Sequence, residues 1–168
     1  MLIDAELPHL RRSRTMLRIM ESTAPTYSSS AEGIKRKLQA HGIAPTRQRL
    51  DIAQVLFARC EHLSADQLLA AVNARDACTS KATVYNTLNL FVRKGLVREV
   101  LVDSDRVFYD PNITPHHHFY NVDTGEISDI AADHIAFARL PDLPKGMVSD
   151  GVDVVVRIRA SAAAAASD

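Results

Sequence analysis

The sequence predicts an α+β fold with two units, a helical N-terminal half and a smaller α/β C-terminal half. Apolar residues follow helical spacing across residues 31–95, whereas from Leu96 onward they alternate as they do in strands. The charge changes sign at nearly the same place. Residues 31–98 contain 11 lysines and arginines against 5 acidic residues, and residues 99–153 contain 3 against 11. A basic half joined to an acidic half suggests polyanion binding by the first, although segmental charge also arises by chance.

The composition narrows the class of protein. With 46% hydrophobic and 24% charged residues, the chain is typical of a soluble globular protein. No apolar run reaches the roughly 20 residues that cross a bilayer, and the first residues lack the apolar core of a secretory signal. The two cysteines, Cys60 and Cys78, form no disulfide framework. We therefore expect ordinary buried or partly buried thiols, a cytoplasmic location and no membrane partner.

Four helices are predicted ahead of the strands. The first, Glu32–His41, ends at Gly42, a residue type that commonly stops helices. The other three begin, in order, at a Thr46 cap, at a Ser64/Gln67 capping box, and at Thr79 or Ser80 in a helix that runs to Gly95. Apolar residues one turn apart on these helices require a core beneath them.

Two strands follow the fourth helix. Leu96–Val102 and Arg106–Tyr109 flank a polar turn and predict a hairpin. Short helices followed by a two-stranded hairpin are the order of a winged helix-turn-helix domain, which we place at residues 31–110.

The rest of the chain predicts a small α/β unit at residues 111–160. Its elements are the strand Glu126–Ile130, the short helix Ala131–Leu140 and the strand Val152–Ile158. Outside both units, residues 1–30 are interpreted as a flexible N-terminal extension and residues 161–168 as a disordered Ala/Ser tail. Four arginines in the extension leave open a second interpretation, a basic arm that lies along phosphates.

The fourth helix has a polar face that suits a recognition helix. Lys81, Tyr85 and Asn89 are spaced by four residues, with Thr83 and Asn86 beside them. Asparagine can pair with adenine, lysine with guanine or phosphate, and tyrosine and threonine with the backbone or a thymine methyl. Most such faces are only solvated. The position of this polar helix after two capped helices and before a hairpin favours DNA binding.

The most informative stretch is the run of three histidines at residues 116–118. If Pro115–Tyr120 is extended, His116 and His118 point to one face and His117 to the other. Two imidazoles on one face are half of a first-row metal site. Because histidine also ligates haem iron, the same patch leaves haem binding open.

Five segments resemble the ferric uptake regulator family in order and spacing, over roughly residues 33–130. They are G-I-A-P-T-R-Q-R (42–49), H-L-S-A-D-Q-L (62–68), A-T-V-Y-N-T-L (82–88), H-H-H-F (116–119) and D-T-G-E-I (123–127). The resemblance implies an N-terminal winged-helix domain, a C-terminal α/β dimerisation domain, and a homodimer that binds palindromic double-stranded DNA operators. It also implies that Tyr85 lies at the DNA interface, with Arg47 and Arg49 near the phosphates.

The resemblance further implies a regulatory metal site at the hinge between the domains. By motif position its ligands are His62, Asp110, His116 and His118. Nitrogen and oxygen ligands favour Fe(II), Mn(II) or Zn(II). A second metal or haem site would involve His117, for which the candidate partners are Asp129, Asp133 and His134.

One departure from the family's pattern concerns a structural zinc. Members with that zinc carry C-x-x-C after the histidine motif, where this chain has Asn121 and Thr124, and no cysteine follows Cys78. We therefore expect no four-cysteine zinc. With the uninterrupted histidine run, this resembles the iron response regulators of α-proteobacteria, which implies control of iron and haem metabolism. The N-terminal Cys-Pro haem motif of some of those members is absent here.

Three functional hypotheses follow. The first is a homodimeric transcriptional regulator of iron or haem homeostasis that responds to haem or a divalent metal. The second is a Mn(II)- or Zn(II)-responsive or peroxide-sensing repressor, since such sites differ little in their ligands. The third is a small metal-dependent hydrolase, but no general base stands beside an open coordination site and the helix-turn-helix is left unexplained. We therefore expect that the protein is not an enzyme.

Overall fold

The computed structural model of the chain describes residues 30–59, 62–75 and 78–161. Most of the predicted N-terminal extension, Cys60 and the predicted tail beyond residue 161 lie outside the described residues.

The N-terminal half contains the predicted helices, α1 (Ala31–Ala40), α2 (Arg47–Arg59), α3 (Ala65–Asn73) and α4 (Lys81–Arg93). Capping determines where they begin. The Ser64/Gln67 capping box opens α3 as predicted, and the Ser80 hydroxyl accepts the Thr83 N–H at the start of α4. Their apolar faces meet in one core, which includes Ile34, Leu38, Ile52, Leu56, Leu68, Val72, Val84, Leu88 and Phe91. None of the described helices is long and apolar enough to span a membrane.

The predicted hairpin is confirmed and belongs to a three-stranded sheet. Its strands are β2 (Arg98–Asp103) and β3 (Arg106–Asp110), and the short β1 (Leu63–Ser64) pairs with the other edge of β3. All pairs are antiparallel. This arrangement places the residue before β1 beside the C-terminal end of β3.

A second sheet follows, with β4 (His116–Asn121) between β5 (Ile127–Ala131) and β6 (Val155–Ile158). β4 runs antiparallel to β5 and parallel to β6. An apolar cluster joins the hairpin to this sheet, because Val100, Val102 and Phe108 pack with Tyr120. The two sheets are therefore in contact.

The predicted helix at Ala131–Leu140 is wrong. Ala131 is still in β5, a single 3-10 turn covers Ala132–His134, and the chain is then irregular until β6. Ala131 is extended because it pairs with His116, and the 3-10 turn that follows lacks a side-chain cap. Leu140 precedes Pro141, a position that disfavours helical backbone.

Candidate metal centre and nucleic-acid interface

Four polar side chains from both halves of the molecule converge at the junction of the two sheets. His62 precedes β1, Asp110 ends β3, and His116 and His118 lie on β4. Each offers one ligand atom, and the four atoms lie within 4.8 Å of one another. As alternation along β4 predicts, the His116 and His118 rings are neighbours, whereas the His117 ring contacts Phe137 instead.

The separations between these atoms match those of ligands around one metal ion. His116 Nε2 lies 3.0 Å from Asp110 Oδ2, and His118 Nε2 lies 3.1 Å from His62 Nε2. The distances from Asp110 to His62 Nε2 and His118 Nε2 are 3.6 and 3.7 Å. An ion about 2.1 Å from its ligands separates neighbouring ligand atoms by about 3.0 Å at right angles and about 3.4 Å at tetrahedral angles.

The hydrogen bonds around His116 leave a lone pair facing the centre. His116 Nδ1 lies 2.7 Å from the Thr114 carbonyl oxygen. Since a carbonyl only accepts, Nδ1 donates, and in the neutral imidazole, which is the form that ligates metals, Nε2 carries the lone pair. That lone pair faces Asp110 Oδ2, also an acceptor, and neither atom has a hydrogen-bond partner among the described residues. A cation between them would remove this buried repulsion, so the residues fit a bound metal ion.

Asp110 is ionised at this site. Its side chain is 1% exposed, and burial by itself raises the pKa of a carboxyl group. The neighbouring His118 and His62 rings and the Asn112 N–H outweigh burial and hold the pKa of Asp110 well below its ordinary value. The Asn112 N–H donates to Oδ1 at 2.7 Å. The centre therefore offers a negatively charged oxygen to a cation.

Asp129 also belongs to this cluster, which corrects its predicted pairing with His117. Asp129 Oδ1 lies 3.1 Å from His62 Nε2 and 3.6 Å from His116 Nε2. The cause is register, since Asp129 pairs directly with His118 and paired residues share a face of an antiparallel sheet. The D-T-G-E segment predicted a turn, but the register depends on where that turn is centred. A turn of residues 122–125 pairs His118 with Asp129, whereas a turn of residues 123–126 would pair residue 118 with residue 131.

The structure does not gather the other candidates for a second site. Asp133 and His134 lie in the exposed 3-10 turn, while His117 is buried. His117 Nδ1 accepts the Val154 N–H at 3.4 Å, which favours a proton on Nε2. Within the described ranges, the compact group of potential metal ligands is the one around Asp110.

The polar face predicted on α4 is exposed. Lys81, Tyr85, Asn86 and Asn89 are at the surface, whereas Thr83 is partly buried and bonded to the Ser80 hydroxyl. Lys81 Nζ lies 2.9 Å from Asp66 Oδ1, and this hydrogen bond raises the pKa of Lys81. Arg47 is exposed on α2 and Arg49 donates to the Ala44 carbonyl. These side chains are available to a ligand, and their contact with DNA stays a prediction.

A hydrogen-bonded turn includes Asn121 and Thr124, the positions at which family members with a structural zinc carry cysteines. The Asn121 side-chain oxygen accepts the N–H groups of Asp123 and Thr124 at 2.9 and 3.3 Å. The Asn121 side chain therefore holds the turn that follows β4. Cys78 lies in the segment just before α4 and is exposed, so the prediction of a buried or partly buried thiol is wrong for this residue.

Comparison with known proteins shows the family. Residues 40–141 match the model of the ferric uptake regulator family, which is more than half of the chain. The chain belongs to the ferric uptake regulator family. Membership in the family supports the prediction of a metal-responsive transcriptional regulator. The metal ion, the operator and the branch of the family are more specific properties, which belong to the proposed function.

Curated relatives of this family member include both iron and peroxide regulators. The chain is 32% identical over 110 residues to the ferric uptake regulation protein of Synechococcus elongatus, covering 63% of this chain and 75% of that protein. It is 30% identical over 92 residues to the peroxide-responsive repressor PerR of Staphylococcus epidermidis, covering 55% of this chain and 61% of that one. The chain thus spans less than two thirds of that repressor.

Solved structures confirm the predicted fold class. The ferric uptake regulator of Pseudomonas aeruginosa with manganese matches with a TM-score of 0.59 and 24% identity, covering 76% of this chain and 97% of that one. A zinc-bound manganese uptake regulator matches with a TM-score of 0.56 and 20% identity, covering 74% and 98%. The fold of this chain is the α+β fold of these regulators.

Proposed function

We propose that this protein is a cytoplasmic, homodimeric regulator of transcription whose DNA affinity is controlled by one divalent metal ion per protomer. The observation that carries the proposal is the pair of facing, unpartnered acceptors, His116 Nε2 and Asp110 Oδ2, within a cluster of three imidazoles. The ligands are His62, Asp110, His116 and His118, with Asp129 as a fifth. Fe(II), Mn(II) and Zn(II) are the ions that such nitrogen and oxygen ligands prefer.

The position of the cluster suggests how a metal would act on DNA binding. His62 belongs to the helical half, Asp110 ends the hairpin, and the other three ligands lie on the second sheet. A bound ion supplies bonds that join these parts, while the side chains fix the geometry in which they are joined. Because an ion binds most tightly where all five ligands meet, it favours one angle between the halves.

DNA binding is assigned to the exposed face of α4. Lys81, Tyr85, Asn86 and Asn89 would contact a palindromic duplex, with Thr83, Arg47 and Arg49 toward the backbone. A palindrome requires two copies of the reading helix, and the second half offers an apolar surface for a second copy. Its exposed apolar residues include Phe119, Phe137, Leu140, Leu143, Met147, Val148 and Val152.

The cluster favours a bare ion over haem. Haem iron is ligated along its axis because the porphyrin occupies the plane, whereas here three imidazole nitrogens converge on one point. As the finer role we retain control of iron and haem homeostasis, as in the iron response regulators, supported by the histidine run and by Asn121 and Thr124. The alternative is a Mn(II)- or Zn(II)-responsive or peroxide-sensing repressor, and the PerR relatives support its peroxide-sensing form.

Metal binding is tested by titrating the purified, metal-stripped protein with Mn²⁺ in competition with a coloured chelator. We expect one ion per protomer in the wild type and loss of tight binding in His116→Ala. His134→Ala is the matched control because that histidine is exposed in the 3-10 turn. Equal Mn²⁺ binding by His116→Ala and the wild type would exclude the cluster as the site.

A further inference from the structure

A charged side chain that the proposed metal ligands do not include lies against the cluster. Arg98 begins β2 and is the register partner of Asp110 on β3. Its Nε lies 3.7 Å from Asp110 Oδ2, the same oxygen that faces His116. Its Nη2 lies 3.5 Å from Oδ1 of Asp153, just before β6. Arg98 thus joins a hairpin carboxylate to one near the second sheet.

The guanidinium carries a charge that is only partly screened. Arginine stays protonated in proteins, and the Arg98 side chain is 24% exposed. Asp110 is buried and ionised, so without a metal this cation is a counter-charge at its Oδ2. Nε is too far away for a hydrogen bond, and Oδ1 is already held by the Asn112 N–H. The effect of Arg98 on Asp110 is therefore mainly one of charge.

We propose that Arg98 is a resident counter-ion of Asp110 that lowers the affinity of the cluster for divalent metal ions, and that Asp153 moderates this effect. The inference rests on the proposed metal site. Arg98 stabilises the metal-free form by compensating a buried carboxylate, and it repels a divalent ion bound to the same carboxylate. Asp153 pairs with the guanidinium, and its negative charge partly cancels the repulsion between Arg98 and a bound metal ion.

The size of the effect follows from Coulomb's law. A unit charge and a divalent ion about 6 Å apart, at a dielectric close to that of water, change a binding constant by about tenfold. Arg98 thus places the affinity of the site in a weaker range than its ligands alone would give. A weaker site releases its ion when the free metal concentration falls, which a sensor requires.

The test measures Mn²⁺ affinity by chelator competition in variants with opposite expected signs. Arg98→Gln binds Mn²⁺ about tenfold more tightly than the wild type, and Asp153→Asn about threefold more weakly. Arg98→Lys keeps the charge and stays near the wild-type value. Arg139→Gln, an exposed arginine paired with Asp142, is the control and changes nothing.

A second readout separates charge from damage to the fold. The metal-free Arg98→Gln protein melts at a lower temperature than the wild type, and saturating Mn²⁺ closes that gap. Weaker or unchanged Mn²⁺ binding in Arg98→Gln, or an Arg98→Lys protein that behaves like Arg98→Gln, overturns the inference. If Arg98→Gln does not fold, Asp153→Asn decides, because unchanged affinity there also overturns it. Failure of the wild type to bind Mn²⁺ refutes the metal site itself.

Discussion

At the scale of single residues, the proposed metal centre is defined by the side-chain atoms that have no other hydrogen-bond partner among the described residues. The Nδ1–H of His116 donates to the Thr114 carbonyl, and in the neutral ring the Nε2 lone pair faces Asp110. The residue types and the alternation on β4 were readable from the sequence. The membership of Asp129 depended on strand register, which a turn motif suggests but only the paired strands specify.

A substitution at Asp129 tests whether this carboxylate belongs to the cluster around Asp110 or to a second site with His117. Asp129→Asn should lower Mn²⁺ affinity by about 10- to 100-fold, because an amide replaces an anionic ligand. Chelator competition measures this, and Asp133→Asn is the neighbouring control. If Asp133→Asn weakens binding and Asp129→Asn does not, the centre has been assigned to the wrong carboxylate.

At the scale of elements, the helices follow local signals and were therefore predictable. Caps and apolar spacing are encoded within a few residues, as the Ser64/Gln67 capping box shows. The segment after β5 failed for a nonlocal reason. Its alanine-rich sequence favours a helix, but pairing of Ala131 with His116 on β4 keeps the first residue of the segment extended.

The Ser80 cap gives a stability prediction for α4. Ser80→Ala removes the acceptor for the Thr83 N–H and should lower the free energy of unfolding by about 1 kcal/mol. Urea unfolding of the metal-free protein measures it, with Ser104→Ala in the exposed wing turn as the control. Equal loss in both variants would mean that the cap does not stabilise α4.

A substitution at Lys81 tests whether the exposed face of α4 binds DNA. Lys81→Ala should weaken DNA binding and reduce the slope of log affinity against log salt by about one, as expected for one lost phosphate contact. Asp66→Asn should strengthen binding, since it frees Lys81 from its ion pair. Fluorescence anisotropy with a selected duplex measures both, and Lys145→Ala in the second half is the control. An unchanged salt slope in Lys81→Ala places DNA elsewhere.

At the scale of the whole molecule, the two halves contact each other directly through protein side chains. The hairpin packs on the second sheet through Phe108 and Tyr120, and Arg106 donates to the Tyr120 hydroxyl at 2.6 Å. Arg157 on β6 also donates to the Val102 carbonyl. A metal ion would therefore adjust an existing interface. Such contacts between distant segments are the part of the fold that sequence patterns do not specify.

The exposed apolar surface of the second half predicts where the dimer forms. Met147→Asp with Val148→Asp should convert the dimer to a monomer, because burial of a charged pair of side chains in an apolar interface is unfavourable. Sedimentation velocity measures the change. Leu101→Asp on the hairpin is the control, since that exposed leucine lies in the other half of the chain. A dimer that survives the double substitution uses another surface.

The most direct test of the central claim is DNA affinity measured as a function of free Mn²⁺ in the wild type and in His62→Ala. His62 is the ligand that the helical half contributes to the cluster. The wild type should change its DNA affinity by about fivefold or more over the range in which Mn²⁺ fills the site. His62→Ala should still bind DNA but lose that response. A wild type indifferent to Mn²⁺, or a His62→Ala protein that responds as the wild type does, would contradict control of DNA binding by a metal held between the two halves.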